Sequence, residues 1–311
     1  MIFYKLTDNS PIVLAFLCLM SAACSTISNS DNTYSHIVGF LENPTTGKGR
    51  LAFCKANGQW YAVCVQNKPS IGCLDVSIPK VPFIVLANGK QIKTLKGIKA
   101  TADYQTTNFI TTLSPPKKGM MHFPVGNISG WNGKLKYRPL LIASPGKSIF
   151  VSWNDAITVN AELLRRVKKQ LMDMIGSIES CDSKENTVSQ RSVTPNDIEL
   201  FRSIEIENTL LLGVRLKNGL YSCDGPLPEQ WSTNWFIVSR GNISFLDWKR
   251  NSTLLRKSKE SSVALYFLDA ADLDGDGSIE LLFFVSGYNM DGYALTEINN
   301  QKLIISSWSY H

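Results

Sequence analysis

The sequence is poor in histidine, which zinc sites and many catalytic sets use, and it lacks closely spaced cysteines. It contains three histidines, and its seven cysteines include no pair with CxxC spacing. Structural zinc sites use four cysteine or histidine ligands, usually with two of them close together in the chain. The sequence also shows no glycine-rich phosphate loop and no recognisable Ser–His–Asp set. It therefore predicts neither a zinc site nor a particular set of catalytic residues.

Strong charge of one sign is absent as well. The formal net charge is +6, and the densest basic cluster, Arg165, Arg166, Lys168 and Lys169, falls on a predicted helix. A nucleic-acid surface needs concentrated basic residues together with aromatic side chains on which bases can stack. The cluster is interpreted as a solvated helix face. No nucleic-acid partner is expected.

No apolar run is long enough to cross a bilayer as a helix. The longest N-terminal run, Pro11–Ala23, has 13 residues and ends in small side chains, which is typical of an export signal. Residues 1–23 are therefore predicted to be a signal peptide. Ser21 and Ala23 fit cleavage by an ordinary secretory peptidase. Alternatively, the run resembles a bacterial lipoprotein signal, and that resemblance implies a lipid on Cys24.

A polar stretch follows the signal. Residues 24–35 are rich in serine, threonine and asparagine, and they are predicted to form a flexible tether. The expected location is the bacterial periplasm or outer membrane for a lipoprotein, or the secreted fraction otherwise. Contact with a membrane is expected only through the anchor.

Cysteine pairing is expected in an exported protein. If Asn57-Gly58 forms a two-residue hairpin turn, Cys54 lies opposite Tyr61 and faces away from Cys64, which excludes a bond between these two cysteines. The pairs to test first are Cys64–Cys73 and Cys181–Cys223.

Asn-Gly dipeptides separate strand-like segments along most of the chain. Such a dipeptide supplies the two positive φ angles that a tight hairpin turn requires, and the spacing of about ten residues between turns favours an antiparallel sandwich, barrel or propeller. The turns are predicted at Asn57-Gly58, Asn88-Gly89, Asn132-Gly133 and Asn218-Gly219, with a further one at 240–242. The fold class is therefore predicted to be mainly β, with antiparallel, hairpin-rich sheets.

One segment departs from this pattern. Between residues 160 and 178, apolar residues recur three and four positions apart, which predicts one amphipathic helix. The helix is interpreted as packing on a sheet rather than binding a membrane surface or a partner. It ends a predicted N-terminal domain, 36–178. The polar segment 179–197 is predicted to be a linker or long loop, and 198–311 a C-terminal β domain.

An acidic loop near the C-terminus carries the most specific chemical signal. Its nine residues, 272–280, have carboxylates at positions 1, 3, 5 and 9 and a glycine at position 6. Alternate acidic side chains converge when the backbone curls, and a hard divalent cation would offset their mutual repulsion. An EF-hand is excluded because its twelfth position, which needs a bidentate glutamate, is Phe283. The flanking residues are also typical of strands rather than helices.

The segment 271–284 (ADLDGDGSIELLFF) resembles the FG-GAP/VCBS type of calcium loop, which joins strands in integrin α propellers. The resemblance implies a calcium ion held by the side chains of Asp272, Asp274 and Asp276, the carbonyl of Ser278 and the side chain of Glu280. The chain has one such loop, whereas propellers of that family show several.

These observations predict an exported, calcium-stabilised β-rich protein of the cell envelope. It is expected to act as a binding or structural module with an unidentified protein or glycan ligand. The alternative is a secreted or membrane-anchored hydrolase on a calcium-stabilised β scaffold, because a pair of carboxylates could converge in a cleft. A buried Ser–His pair at His36 or His122 would favour the enzyme.

Overall fold

The computed structural model describes residues 36–43, 48–65, 68–69, 82–97, 99–105, 108–114, 140–143, 151–155, 158–182, 187–217, 221–222, 225–226, 233–246, 263–287 and 290–309. The predicted signal peptide, the tether and Cys24 lie outside these ranges. Both predicted cysteine pairs involve side chains outside those that the structure describes.

The described chain is mainly β and contains one α-helix, which confirms the predicted fold class. Every strand pairing within it is antiparallel. In chain order the elements are β1 His36–Asn43, β2 Lys48–Ala56, β3 Gln59–Ala62, β4 Cys64–Val65, β5 Lys68–Pro69, β6 Phe83–Ala87, β7 Lys90–Leu95, β8 Lys99–Gln105, β9 Asn108–Ser114, β10 Leu140–Ala143, β11 Trp153–Asp155, α1 Ala161–Ile175, β12 Ser177–Asp182, β13 Thr187–Ser192, β14 Ile198–Ile206, β15 Thr209–Leu216, β16 Tyr221–Ser222, β17 Gly225–Pro226, β18 Asn234–Ser239, β19 Asn242–Phe245, β20 Val263–Ala271, β21 Glu280–Gly287, β22 Met290–Glu297 and β23 Ile304–Ser309.

Three sheets account for most of these strands. The N-terminal sheet has the order β7-β6-β10-β1-β2-β9-β8, with β3 also paired to β2. The five-stranded sheet has the order β11-β14-β15-β18-β19, and the C-terminal sheet is the meander β20-β21-β22-β23. Three two-stranded ribbons, β4–β5, β12–β13 and β16–β17, complete the described strands.

The C-terminal sheet is buried on both faces. Tyr266 and Phe284 lie in a core cluster with residues of the N-terminal sheet. Phe267 and Phe283 lie in a second cluster with Trp235 of the five-stranded sheet. Because successive side chains of a strand point to opposite faces, the C-terminal sheet is the middle of three packed layers. This position explains why β20 and β21 are apolar almost without interruption.

Hairpin turns form where local backbone chemistry predicts them. Asn57 and Gly58 have φ angles of 51° and 73°, and the resulting register pairs Cys54 with Tyr61, as predicted. Asn88-Gly89 joins β6 to β7 with φ angles of 54° and 67°. The predicted turns at 132–133 and 218–219 lie outside the described residues.

One hairpin has no Asn-Gly signal. The turn between β14 and β15 contains Glu207, whose φ angle is 52°. A non-glycine residue adopts this conformation at some cost in free energy, and here the eight-residue pairing of the two long strands imposes it. The hairpin of β14 and β15 was therefore not predicted from a turn signal.

The helix is shorter than predicted. Asn160 caps its start, since Asn160 Oδ1 accepts hydrogen bonds from the backbone N–H groups of Glu162 at 2.9 Å and Leu163 at 3.2 Å. Gly176, with a φ angle of 70°, ends it. Ile178 therefore lies in β12 and not on the helix. Val167 and Leu171 pack on the five-stranded sheet, as the predicted packing of the helix requires.

The segment predicted to be a linker contains regular structure. Residues 177–192 form the ribbon β12–β13, and a 3-10 helix follows at Pro195–Asp197. Strand β11, from the predicted N-terminal domain, pairs with β14 of the predicted C-terminal one. By their contacts, the residues that the structure describes belong to one compact unit. The ribbon β12–β13 is largely polar and lacks alternating apolar residues, so its sequence resembles that of a loop.

No helix among the described residues is both long enough and apolar enough to cross a membrane.

Candidate metal centre

The acidic loop connects β20 to β21. The pair Ala271–Glu280 closes its base, so both flanks are strands, as predicted, and Phe283 is fully buried in β21. Gly275 and Gly277 have φ angles of 75° and 88°. These two positions let the backbone curl within nine residues. The loop therefore matches the strand-to-strand connection expected from its sequence and does not form an EF-hand.

Three aspartates converge inside this loop. One carboxylate oxygen from each of Asp272, Asp274 and Asp276 lies within 4.8 Å of the other two. We call these three residues the aspartate cluster. Oxygen atoms from carboxylates are the ligands that hard divalent cations prefer. The aspartate cluster could therefore hold a metal ion.

Backbone N–H groups of the loop hold these carboxylates in place. Asp272 accepts from Gly275 N at 2.7 Å through Oδ1 and from Gly277 N at 3.1 Å through Oδ2. Asp274 Oδ1 accepts from the backbone N–H of Asp276 at 3.1 Å, and Asp276 Oδ1 accepts from Ser278 N at 2.8 Å. In Asp274 and Asp276 the loop backbone thus uses only Oδ1, and Oδ2 faces other partners.

Glu280, the last predicted ligand, is fully buried at the base of the loop. Its Oε2 accepts a hydrogen bond from Leu273 N at 2.7 Å, and its Oε1 accepts one from Trp60 Nε1 at 3.3 Å. Burial raises the pKa of Glu280 to about 7, although these two hydrogen bonds favour the ionised form. Glu280 thus ties the loop to β3 and is not one of the residues grouped in the aspartate cluster.

Ser278 was predicted to contribute its carbonyl. Within the described part of the chain, its hydroxyl oxygen is buried without a hydrogen-bond partner. Its backbone N–H supports Asp276, as described above. The residue therefore lies in the loop beside the aspartate cluster.

Lys55 also reaches the aspartate cluster, and the sequence analysis did not identify it. Its Nζ donates hydrogen bonds to Asp274 Oδ2 and, at 3.3 Å, to Asp276 Oδ2. The side chain of Lys55 is 8% exposed. It lies 219 positions from Asp274 in the chain, and a lysine two residues before a hairpin turn has the appearance of an exposed strand residue. No spacing rule in the sequence connects it to the loop.

His36 lies beside Lys55 because β1 and β2 pair these two residues directly. Burial lowers the pKa of His36, the positive charge of Lys55 lowers it further, and Asp272 opposes the shift. His36 Nδ1 is buried, and no described residue hydrogen-bonds to it. The Ser–His pair that would favour a hydrolase therefore does not form at this nitrogen. His122 lies outside the described residues.

A shallow groove of about 270 Å³ opens next to the loop. Asp276 lines it together with Gln59, Glu297, Asn300 and Lys302. These side chains offer both donors and acceptors of hydrogen bonds. The groove is suited to a polar ligand.

A second carboxylate site, just before the loop, connects all three sheets. Asp269 Oδ1 in β20 accepts hydrogen bonds from Gly89 N at 2.7 Å, Trp153 Nε1 at 2.6 Å and Ala270 N at 2.9 Å. Gly89 lies in the β6–β7 turn of the N-terminal sheet, and Trp153 lies in β11. The side chain of Asp269 is buried. We call this arrangement the Asp269 junction.

Glycine is required at the junction for a steric reason. A Cβ atom on Gly89 would lie 2.0 Å from the carbonyl oxygen of Val151 and 2.9 Å from Trp153 Cδ1. The close approach lets the N–H of Gly89 reach Asp269. The junction is not predictable from the sequence, because Gly89 and Trp153 are far from Asp269 in the chain and none of the three belongs to a recognisable motif.

Comparison with protein-family models, curated proteins and solved structures finds no match to this chain.

Proposed function

We propose that this protein is an exported, calcium-stabilised β-rich protein of the cell envelope that acts as a binding or structural module. The observation that carries the proposal is the aspartate cluster, in which three carboxylates converge within a loop between two strands. Like charges at this separation repel one another, and a divalent cation reverses the sign of that interaction.

Calcium fits better than the other common divalent cations. The converging groups are all oxygen atoms, and no described histidine or cysteine joins them, so zinc and copper are poorly matched. Magnesium requires near-ideal octahedral geometry, whereas calcium accepts the irregular shell of a flexible loop. Extracellular modules typically bind calcium with dissociation constants of about 0.1–1 mM. At millimolar calcium and the tighter end of that range, binding adds about 1.5 kcal/mol to the free energy of unfolding.

The binding role is supported by the groove beside the loop. Asp276 belongs both to the aspartate cluster and to the lining of the groove. A metal ion at the cluster would therefore lie next to any occupant of the groove. Polar donors and acceptors around a bound cation suit the hydroxyl groups of a glycan or the polar surface of a protein.

Thermal unfolding of the protein in calcium and in chelator tests the calcium assignment. We expect calcium to raise the melting temperature by about 3 °C, given the size of the chain and the binding free energy above. Asp274→Ala should abolish this difference. Asp173→Ala, which removes an exposed carboxylate on the helix, should leave it unchanged. Equal melting of the wild-type protein in calcium and in chelator would overturn the assignment.

Export is tested at the N-terminus of the protein isolated from its native host. We expect mass spectrometry to find that residues 1–23 have been removed. A lipid-sized mass on Cys24 identifies the lipoprotein form, and an unmodified end identifies the secreted form. A chain that retains residues 1–23 would contradict export.

A further inference from the structure

Two oxygens in the aspartate cluster are not used by the loop backbone. The loop backbone uses Oδ1 of both Asp274 and Asp276. Their Oδ2 atoms are therefore the ones that a metal ion could use without breaking the hydrogen bonds that shape the loop. Both Oδ2 atoms receive hydrogen bonds from Lys55 Nζ.

Lys55 is held firmly at this position. It comes from β2 of the N-terminal sheet, and its side chain is 8% exposed, while that of Asp274 is 3% exposed. The ammonium group also lies 5.5 Å from the centre of the Trp60 ring, where the electron-rich face stabilises a cation. A charge buried to this degree remains ionised only if it is paired.

Solvent reaches the aspartate cluster through Asp276. The Asp276 side chain is 48% exposed and lines the groove. An ion from solution can therefore approach Asp276 without first disturbing the buried contact between Lys55 and Asp274. At Asp274 Oδ2 and Asp276 Oδ2 it would meet the ammonium group of Lys55. A calcium ion and the ammonium group at these oxygens would repel each other strongly, because the site is partly buried.

We propose that Lys55 is an internal competitor of the metal ion and sets the calcium concentration at which the loop fills. This inference rests on the proposed calcium binding. In the metal-free protein, Lys55 neutralises part of the charge of the aspartate cluster and keeps the loop folded. Calcium binds only by displacing the ammonium group from Asp274 and Asp276. The competition weakens calcium binding to a degree that suits a compartment rich in calcium.

The test is calorimetric titration of the metal-free, full-length protein with calcium chloride, in the wild type and in Lys55→Met. Methionine keeps the length and the apolar stem of lysine but removes the charge. We expect Lys55→Met to bind calcium at least about 10-fold more tightly, which corresponds to about 1.4 kcal/mol. Its melting temperature in chelator should fall below that of the wild type, because the carboxylates lose their partner.

The matched control is Lys96→Met, which removes a positive charge from an exposed position and should leave calcium affinity unchanged. If Lys55→Met does not fold, Lys55→Gln replaces it, and we again expect the variant to bind calcium more tightly than the wild type. Equal or weaker calcium binding by the folded Lys55 variant overturns the competition, even when the wild type binds calcium. If neither the wild type nor the variant binds calcium, the proposed function and the competition both fail. Binding by the variant alone supports the competition.

Discussion

The Asp269 junction and the aspartate cluster lie three residues apart in the sequence, yet their carboxylates are stabilised in different ways. At the junction, N–H groups of neutral donors in all three sheets converge on one oxygen of Asp269. In the aspartate cluster, three carboxylates lie close together, and the partner of Asp274 Oδ2 and Asp276 Oδ2 is a single ammonium group. Fixed backbone and ring donors make the junction a permanent part of the fold. In the aspartate cluster the partner is one side-chain ammonium group, which the proposed metal ion would have to displace.

The largest effect is expected at the junction. Asp269→Ala leaves the buried N–H groups of Gly89 and Trp153 without an acceptor, and each such group costs about 1–3 kcal/mol. We therefore expect the free energy of unfolding to fall by about 3 kcal/mol or more. The loss should be the same in calcium and in chelator, because no ion is involved.

Urea denaturation in the two buffers measures this loss. Asp269→Asn is the matched control, since it keeps an acceptor oxygen and should lose less than Asp269→Ala. A clearly larger loss for Asp269→Ala in calcium than in chelator would contradict the comparison, because it would make the junction part of the metal centre.

A smaller, calcium-linked effect is expected in the loop. Gly277 has a φ angle of 88°, and a Cβ atom there would meet nothing within 4 Å. Gly277→Ala therefore adds backbone strain alone, of roughly 1–2 kcal/mol. Because Gly277 N supports Asp272, the strain should also reduce the stabilisation by calcium.

Gly241→Ala provides the control for this prediction. Gly241 lies in the β18–β19 turn with a φ angle of 80°, and a Cβ atom there also meets nothing within 4 Å. It should lose a similar free energy of unfolding while its melting temperature still responds to calcium as in the wild type. If calcium raises the melting temperature of Gly277→Ala as much as that of the wild type, the prediction is wrong, because ion binding then does not depend on the shape of the loop.

Local chemistry made much of the fold predictable. Asn57-Gly58 and Asn88-Gly89 gave correct hairpins because the positive φ angles belong to the turn residues themselves. The ends of the helix are also set locally, by the side-chain cap of Asn160 and by the positive φ angle of Gly176. The turn at Glu207 was missed because distant strand pairing, and not the turn residue, imposes its conformation.

The candidate site also has a part that was predictable from the sequence and a part that was not. Asp272, Asp274 and Asp276 belong to one nine-residue loop, so their convergence follows from the loop itself. Lys55 and Trp60 reach the loop from a different sheet. Their contacts depend on how two layers pack, which no short sequence pattern encodes. Glu280 satisfies a sequence pattern, but in the structure its carboxylate binds Leu273 N and Trp60.

The central position of the C-terminal sheet has a consequence for the order in which the protein can fold. Residues after 262 supply one wall of both major core clusters that this sheet shares with its neighbours. A ribosome releases the segments of the two outer sheets first, so their apolar faces stay uncovered until this last segment emerges. Contacts between segments far apart in the chain slow folding, and apolar surfaces that favour aggregation remain exposed until those contacts form. Synthesis therefore creates a period in which the apolar faces of the two outer sheets are exposed on the nascent chain.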